Sequence, residues 1–167
     1  AIGFGAGDSI TTSGYNALLG YQVGQALAGG SGLNVVIGYQ SLYYGTGNTK
    51  VIAIGTRAGY NTTSDSNVYI GGSAGRENRD GTGQVYIGSQ AGYYATGSQN
   101  TFVGQDAGKG GTTSAPYSSG EHNVAIGYQA FDAFTSATRC VAIGNYAGSA
   151  ITTGYNNAIM GYQAGVA

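Results

Sequence analysis

The chain has 167 residues, 33 of them Gly, 15 Tyr and one Pro, with no Trp and only 8% charged residues. Six Lys and Arg against seven Asp and Glu leave a net charge of −1, too little positive charge to follow a phosphate backbone, which excludes a nucleic-acid partner. An apolar share of 41% argues against a disordered tail, and the longest aliphatic run, residues 51–54, is too short for membrane insertion.

In chain order, an aliphatic–Gly pair recurs with its glycine at Gly3, Gly20, Gly38, Gly55, Gly71, Gly88, Gly104, Gly127, Gly144 and Gly161. The intervals are 17, 18, 17, 16, 17, 16, 23, 17 and 17 residues. The three residues before each glycine read as Val-x-Ile, a β-branched alternation of period two. This predicts short strands at 17–19, 35–37, 52–54, 68–70, 85–87, 101–103, 124–126, 141–143 and 158–160. Asn stands before six of them (Asn16, Asn34, Asn67, Asn100, Asn123, Asn157), as suits a turn. Behind each glycine come Ala three residues on, with Val23 and Ser41 as the exceptions, and Gly four residues on, with Leu42 and Phe131 as the exceptions. Frequent Gly disfavours helix. A unit of 16–18 residues cannot bury an apolar face alone, so the units must stack. The fold expected is all-β, a β-solenoid of about ten coils rising on the order of 48 Å. It forms one repeat domain over 1–167, with a loop insertion at about 109–122 in the long interval. Because the chain opens inside a repeat, it is expected to be a piece of a longer fibre.

The residue between Val and Ile is expected to face away from the coil interior. It is apolar every time, including Leu18, Val36, Tyr69, Tyr86, Phe102 and Ile159. Apolar residues on both strand faces imply that both are covered, so these six are expected at a subunit interface of a homo-oligomer.

The rung Asn123-Val124-Ala125-Ile126-Gly127 resembles the head repeats of trimeric autotransporter adhesins. The longer unit from Asn157 to Gly165 resembles repeats of phage and other virus tail-fibre proteins. The adhesin heads have a shorter repeat, which favours the tail-fibre likeness. The resemblance implies a parallel homotrimeric, non-enzymatic shaft, borne on a virion tail fibre or a cell surface, that reaches or binds a surface through a glycan or protein receptor.

Candidate sites are few. Tyr21, Tyr39, Tyr128 and Tyr162 follow the rung glycine, and Gln22, Gln40, Gln129 and Gln163 follow them. In register they form either a structural ladder of rings and amides or a sugar-binding surface. Cys140 and His122 are the only residues of their types, which leaves no disulfide framework and no Cys/His metal set. Asp8, Asp65, Asp80, Asp106 and Asp132 share no column, so no acid/base pair is implied, and no cofactor is expected. A Thr column eight residues after the glycine (Thr11, Thr46, Thr63, Thr96, Thr112, Thr135, Thr152) resembles the Thr ladders of ice-binding solenoids and supplies the alternative function. The Thr-x-Thr spacing of a flat two-column array is missing.

Overall fold

The computed structural model describes residues 1–12, 14–28 and 32–166. Its strands are β1 (Ala17–Tyr21), β2 (Val35–Tyr39), β3 (Ile52–Ile54), β4 (Val68–Ile70), β5 (Val85–Ile87), β6 (Thr101–Val103), β7 (Val124–Ile126), β8 (Val141–Ile143) and β9 (Ala158–Met160). All nine lie in one parallel sheet in sequence order, and no helix occurs among the described residues. Each strand pairs with the next so that equivalent repeat positions are neighbours: Ile37 with Ile54, Ile54 with Ile70, Ile70 with Ile87. The chain is a β-solenoid of about eight turns. Ten rung glycines imply ten coils. The first rung supplies an isolated bridge from Ile2 to Leu19 instead of a strand, so nine strands are joined by eight turns.

The rung glycine directly follows the strand in β3 to β9 and lies inside β1 and β2, in a backbone conformation that a side chain would block. Gly88 has φ +134°, and a Cβ there would lie 2.4 Å from the carbonyl oxygen of Gly104 in the next coil. Before each strand, the asparagine column carries a second ladder inside the coil. Asn67 Oδ1 accepts from the backbone N–H of Gln84 at 2.9 Å, Gln84 Oε1 from Asn100 N–H at 2.9 Å, and Asn100 Oδ1 from Asn123 N–H at 2.8 Å. Asn67, Gln84, Asn100 and Asn123 are fully buried. Each therefore satisfies a backbone donor that would otherwise be orphaned in the interior. Asparagine sits here as a rung of the stack, not only as a turn former.

The strand faces are the reverse of the sequence expectation. Val36, Ala53, Tyr69, Tyr86, Phe102, Ala125 and Ala142 have no exposure in the single chain and Leu18 has 4%: the middle residue of the triplet points into the coil. Of the six residues expected at a subunit interface, Leu18, Val36, Tyr69, Tyr86 and Phe102 are core residues, and Ile159 packs partly buried against that core. The five core residues are closed to a partner chain. The physical reason is volume. Tyr69, Tyr86 and Phe102 lie over Gly75, Gly92 and Gly108, where an added Cβ would come within 2.2 to 2.3 Å of the rings. In the coils of Val36 and Ala125 the glycine four residues after the rung is replaced by the buried Leu42 and Phe131, whereas the coils of Ala53 and Ala142 keep Gly59 and Gly148. Beside Ala53 and Ala142 the room is taken by side chains of neighbouring coils, Tyr69 against Gly59, and Phe131 and Ile159 against Gly148, so the narrow interior stays filled. The Val and Ile columns consequently face outward, half-buried or exposed along the sheet.

The long interval is absorbed without breaking the stack. β6 pairs with β7 with Val103 opposite Ile126, so the coils on either side of it are nearest neighbours. Gly110 and Gly111 donate to the carbonyls of Asp132 and Phe134 at 3.0 and 2.7 Å, and Ser118 is buried and bridged to Ala95. These residues belong to the coil path, and the outgrowth is confined to residues 112–117, narrower than the 109–122 expected. Deleting those six residues would join Gly111 to Ser118 and restore a 17-residue step. The deletion should leave the melting temperature unchanged or slightly raised, because loop closure costs little at this length. Deleting 110–114 instead removes two backbone donors from the ladder and should lower it. Thermal unfolding followed by circular dichroism distinguishes the two.

Two phenols lie deep in this core. Tyr69 accepts a hydrogen bond from Asn78 Nδ2 at 2.7 Å. Burial pushes its ionisation well above the ordinary tyrosine value, against smaller opposing contributions from Thr62, Asn78 and Asn67. Burial does the same at Tyr86, helped by the neighbouring Tyr69. The fold thus favours the neutral phenol. This contribution to stability is complete below the unfolded tyrosine pKa of about 10 and is lost as pH rises above it. The melting temperature should fall steeply above about pH 10, with phenolate absorbance appearing in two populations, the later one coinciding with unfolding. A single titration with no loss of fold would contradict the burial of these groups.

Candidate functional site

Three surfaces of the solenoid are distinctive, and the first is the column directly after the rung glycine. Phe4, Tyr21 and Tyr39 stack, with ring centroids 5.5 and 5.3 Å apart and planes within 16° and 7°. Beside them Gln40 Nε2 donates to Gln22 Oε1 at 3.0 Å, and Arg57 Nε donates to Gln40 Oε1 at 3.2 Å. Tyr21 and Tyr39 are therefore brought together with their glutamines. Tyr128 and Tyr162 are not brought to them. Thr56, Gly72, Ser89 and Gln105 occupy the same column between the two groups. Tyr128 and Tyr162 meet only through Tyr146, edge-on, at 5.3 and 6.4 Å. Gln129 and Gln163 hold their coils through backbone N–H bonds to Gln105 and Asn145 at 3.0 and 2.9 Å. Stacked faces cover one another, so the first group offers ring edges and hydroxyls to solvent more than open faces.

A second ladder, five residues after the glycine, escaped the sequence reading. Tyr43 and Tyr60 stack at 5.3 Å, and the Arg76 guanidinium sits 5.4 Å from the ring centroids of both Tyr60 and Tyr93. Arg76 also donates to the Tyr93 hydroxyl and pairs with Glu77 at 3.3 Å. An arginine between two aromatic faces is a cation–π sandwich, which stabilises three consecutive coils by about 0.5–1 kcal/mol per exposed contact. The signal in the sequence was the 17-, 16- and 17-residue spacing of Tyr43, Tyr60, Arg76 and Tyr93. Mixed residue types had hidden the column.

The third surface is the outward sheet face. Its two columns carry Val35 and Ile37, Ile52 and Ile54, Val68 and Ile70, Val85 and Ile87, Val124 and Ile126, and Val141 and Ile143, with no charged residue at any of the nine strands. Leu19, Ile87, Ile126 and Met160 are 49, 37, 40 and 74% exposed along it. Nine strands at about 4.8 Å make a stripe roughly 40 Å long.

The remaining candidates are dispersed. His122 is exposed, with a left-handed backbone at φ +57°. The Cys140 thiol is buried against the Thr138 carbonyl at 3.4 Å. Asp106 pairs with Lys109 at 3.1 Å, and Asp65 accepts from Thr49 N–H at 2.7 Å. Asp132 is half-buried, and desolvation raises its pKa from the ordinary aspartate value. Among the described residues no group of three His, Cys, Asp or Glu could hold a metal ion. In the Thr column, the hydroxyls of Thr63, Thr96 and Thr135 donate to carbonyls of the next coil at 2.9, 3.2 and 2.9 Å. Those hydroxyls tie coil to coil, which works against a free array facing water.

No protein-family model matches the chain, no curated protein matches its sequence, and no solved structure matches its fold.

Proposed function

We propose that the chain is a non-enzymatic structural segment of a fibre shaft, of the kind carried by virus or phage tail fibres and bacterial surface adhesins, with receptor contact at its surface. The observation that carries the reading is the outward sheet face. A soluble solenoid would alternate apolar inside with polar outside, yet both faces of every strand are uncharged here. A continuous apolar stripe of this length marks an interaction surface, and the partner with a matching repeat at every rung is a second copy. Parallel copies around one axis bring equivalent rungs to the same height, and cyclic symmetry closes the assembly. Three copies is the number implied by the resemblance to tail-fibre and adhesin repeats. The interface therefore rests on the Val and Ile columns.

The test is the mass of the purified chain by size-exclusion chromatography with light scattering. Three times the single-chain mass is expected, independent of concentration over the accessible range. A monodisperse single chain would overturn the assembled-shaft reading.

A further inference from the structure

Residues 112–117 leave the coil path after Gly111 and rejoin it at Ser118. On the way Ala115, Pro116 and Tyr117 line an open cavity of about 270 Å³, together with Arg79, Asp80, Thr96 and Ser119. The lining combines two chemistries. The first is apolar, and its ring is fixed, because Tyr117 stacks on Tyr94 at 5.7 Å and 28°. The second is polar and uncommitted. The backbone of Arg79 is held by Thr63, whose N–H and hydroxyl both donate to the Arg79 carbonyl at 3.1 and 2.9 Å. Its guanidinium and the Asp80 carboxylate are exposed, and neither takes part in the ion pairs or side-chain hydrogen bonds of the described residues. A rigid backbone thus presents a free fork of donors beside a free pair of acceptors.

We propose that this cavity binds a neutral saccharide, a hexose or hexosamine unit of a longer glycan. A pyranose has faces of C–H groups and a rim of hydroxyls that each donate and accept. The apolar lining residues Pro116 and Tyr117 suit the face; Arg79, Asp80, Thr96 and Ser119 suit the rim. An apolar surface with a few convergent polar groups is the usual form of a small-ligand site. Adjacent opposite charges leave no net field to select an anion, which separates this site from one built for sulfate or phosphate. The inference deepens the receptor-contact part of the proposed function by naming the ligand class and the place, and a trimeric shaft would carry three such sites as a collar.

The experiment is an array of neutral and acidic oligosaccharides probed with the purified protein, followed by saturation-transfer NMR with the strongest neutral hit. It is repeated on Tyr117→Ala, Asp80→Ala and a deletion of residues 112–117. At least one neutral hexose- or hexosamine-containing glycan should bind. Each variant should weaken it by at least about tenfold without lowering the melting temperature. Binding to no neutral glycan, binding to acidic glycans alone, or a neutral hit indifferent to all three changes would overturn the proposal. Light scattering on the same samples reads assembly separately. An assembled protein without glycan binding removes this site and leaves the shaft, whereas a single chain that binds glycan removes the shaft and leaves the site.

Discussion

Phe102→Asp should unfold the rod, not merely separate its copies. Phe102 has no exposure in the single chain and stacks on Tyr86 at 5.0 Å and 7°, with Phe134 edge-on at 5.6 Å. Removing the ring costs about 3–5 kcal/mol by loss of contacts and the cavity left behind. The carboxylate adds several more unless it protonates, because no partner for a charge exists between those rings. Against a typical total of about 5–15 kcal/mol, the loss removes most or all of the fold. Circular dichroism should show no cooperative melting above room temperature. The matched control is Ile87→Asp, one repeat position from Tyr86 in the same sheet but 37% exposed on its outward side. That variant should keep its melting temperature to within a few degrees as an isolated chain. Were Phe102→Asp to give a folded, dissociated monomer, the ring would lie between chains and the face assignment would be wrong.

Gly88→Val should be nearly as damaging, for a backbone reason. At φ +134° a β-branched residue is outside its allowed regions, and its Cβ would stand 2.4 Å from the Gly104 carbonyl oxygen and 3.0 Å from Gln105 N. Strain and overlap together cost about 3 kcal/mol or more. Relief requires the coils of β5 and β6 to separate at that point, which breaks the bond from Gly104 N–H to the Ile87 carbonyl at 2.8 Å. Ser73 or Gln90 replaced by Val should cost less, since those positions already accept side chains at φ +59° and +57°. Chemical unfolding of the three variants ranks them directly. Equal midpoints for Gly88→Val and the native protein would show that the rung glycine is dispensable.

Strand positions and register were legible in the repeat because a β-branched alternation every 17 residues leaves one way to stack equal units. The Gly104-to-Gly127 interval could be read across for the same reason, since Val103 and Ile126 keep their column. Which face is inside was not legible from periodicity. Both faces are apolar, so a period of two cannot choose between them. The choice lay in a partial covariation of size within the chain: Leu42 and Phe131 replace glycine in coils whose middle residue is Val36 or Ala125, and every coil with an aromatic middle residue keeps glycine, as do those of Ala53 and Ala142. An outward column has no reason to compensate in this way. Assigning the wrong face carried the expected interface residues into the core with it. Of the Tyr–Gln columns, the Tyr21 and Tyr39 half assembles, and the Tyr128 and Tyr162 half is interrupted at Asn145, a one-residue departure that the consensus concealed. The Arg79–Tyr117 cavity joins parts of the chain that share no motif, so only the fold of the insertion brings them together.

The most direct test of the assembled shaft is light scattering on Ile70→Lys with Ile87→Lys, two adjacent outward rungs that pair across β4 and β5. Facing solvent in a single chain, lysine is tolerated there. Facing another copy, it would bury unpaired charge in every subunit, which is strongly unfavourable. The account predicts a folded single chain with the native circular dichroism spectrum, where the unmodified protein is three times that mass. A double variant that stays assembled at the unmodified mass would contradict it, because the Val and Ile columns would then not be the surface through which the copies meet.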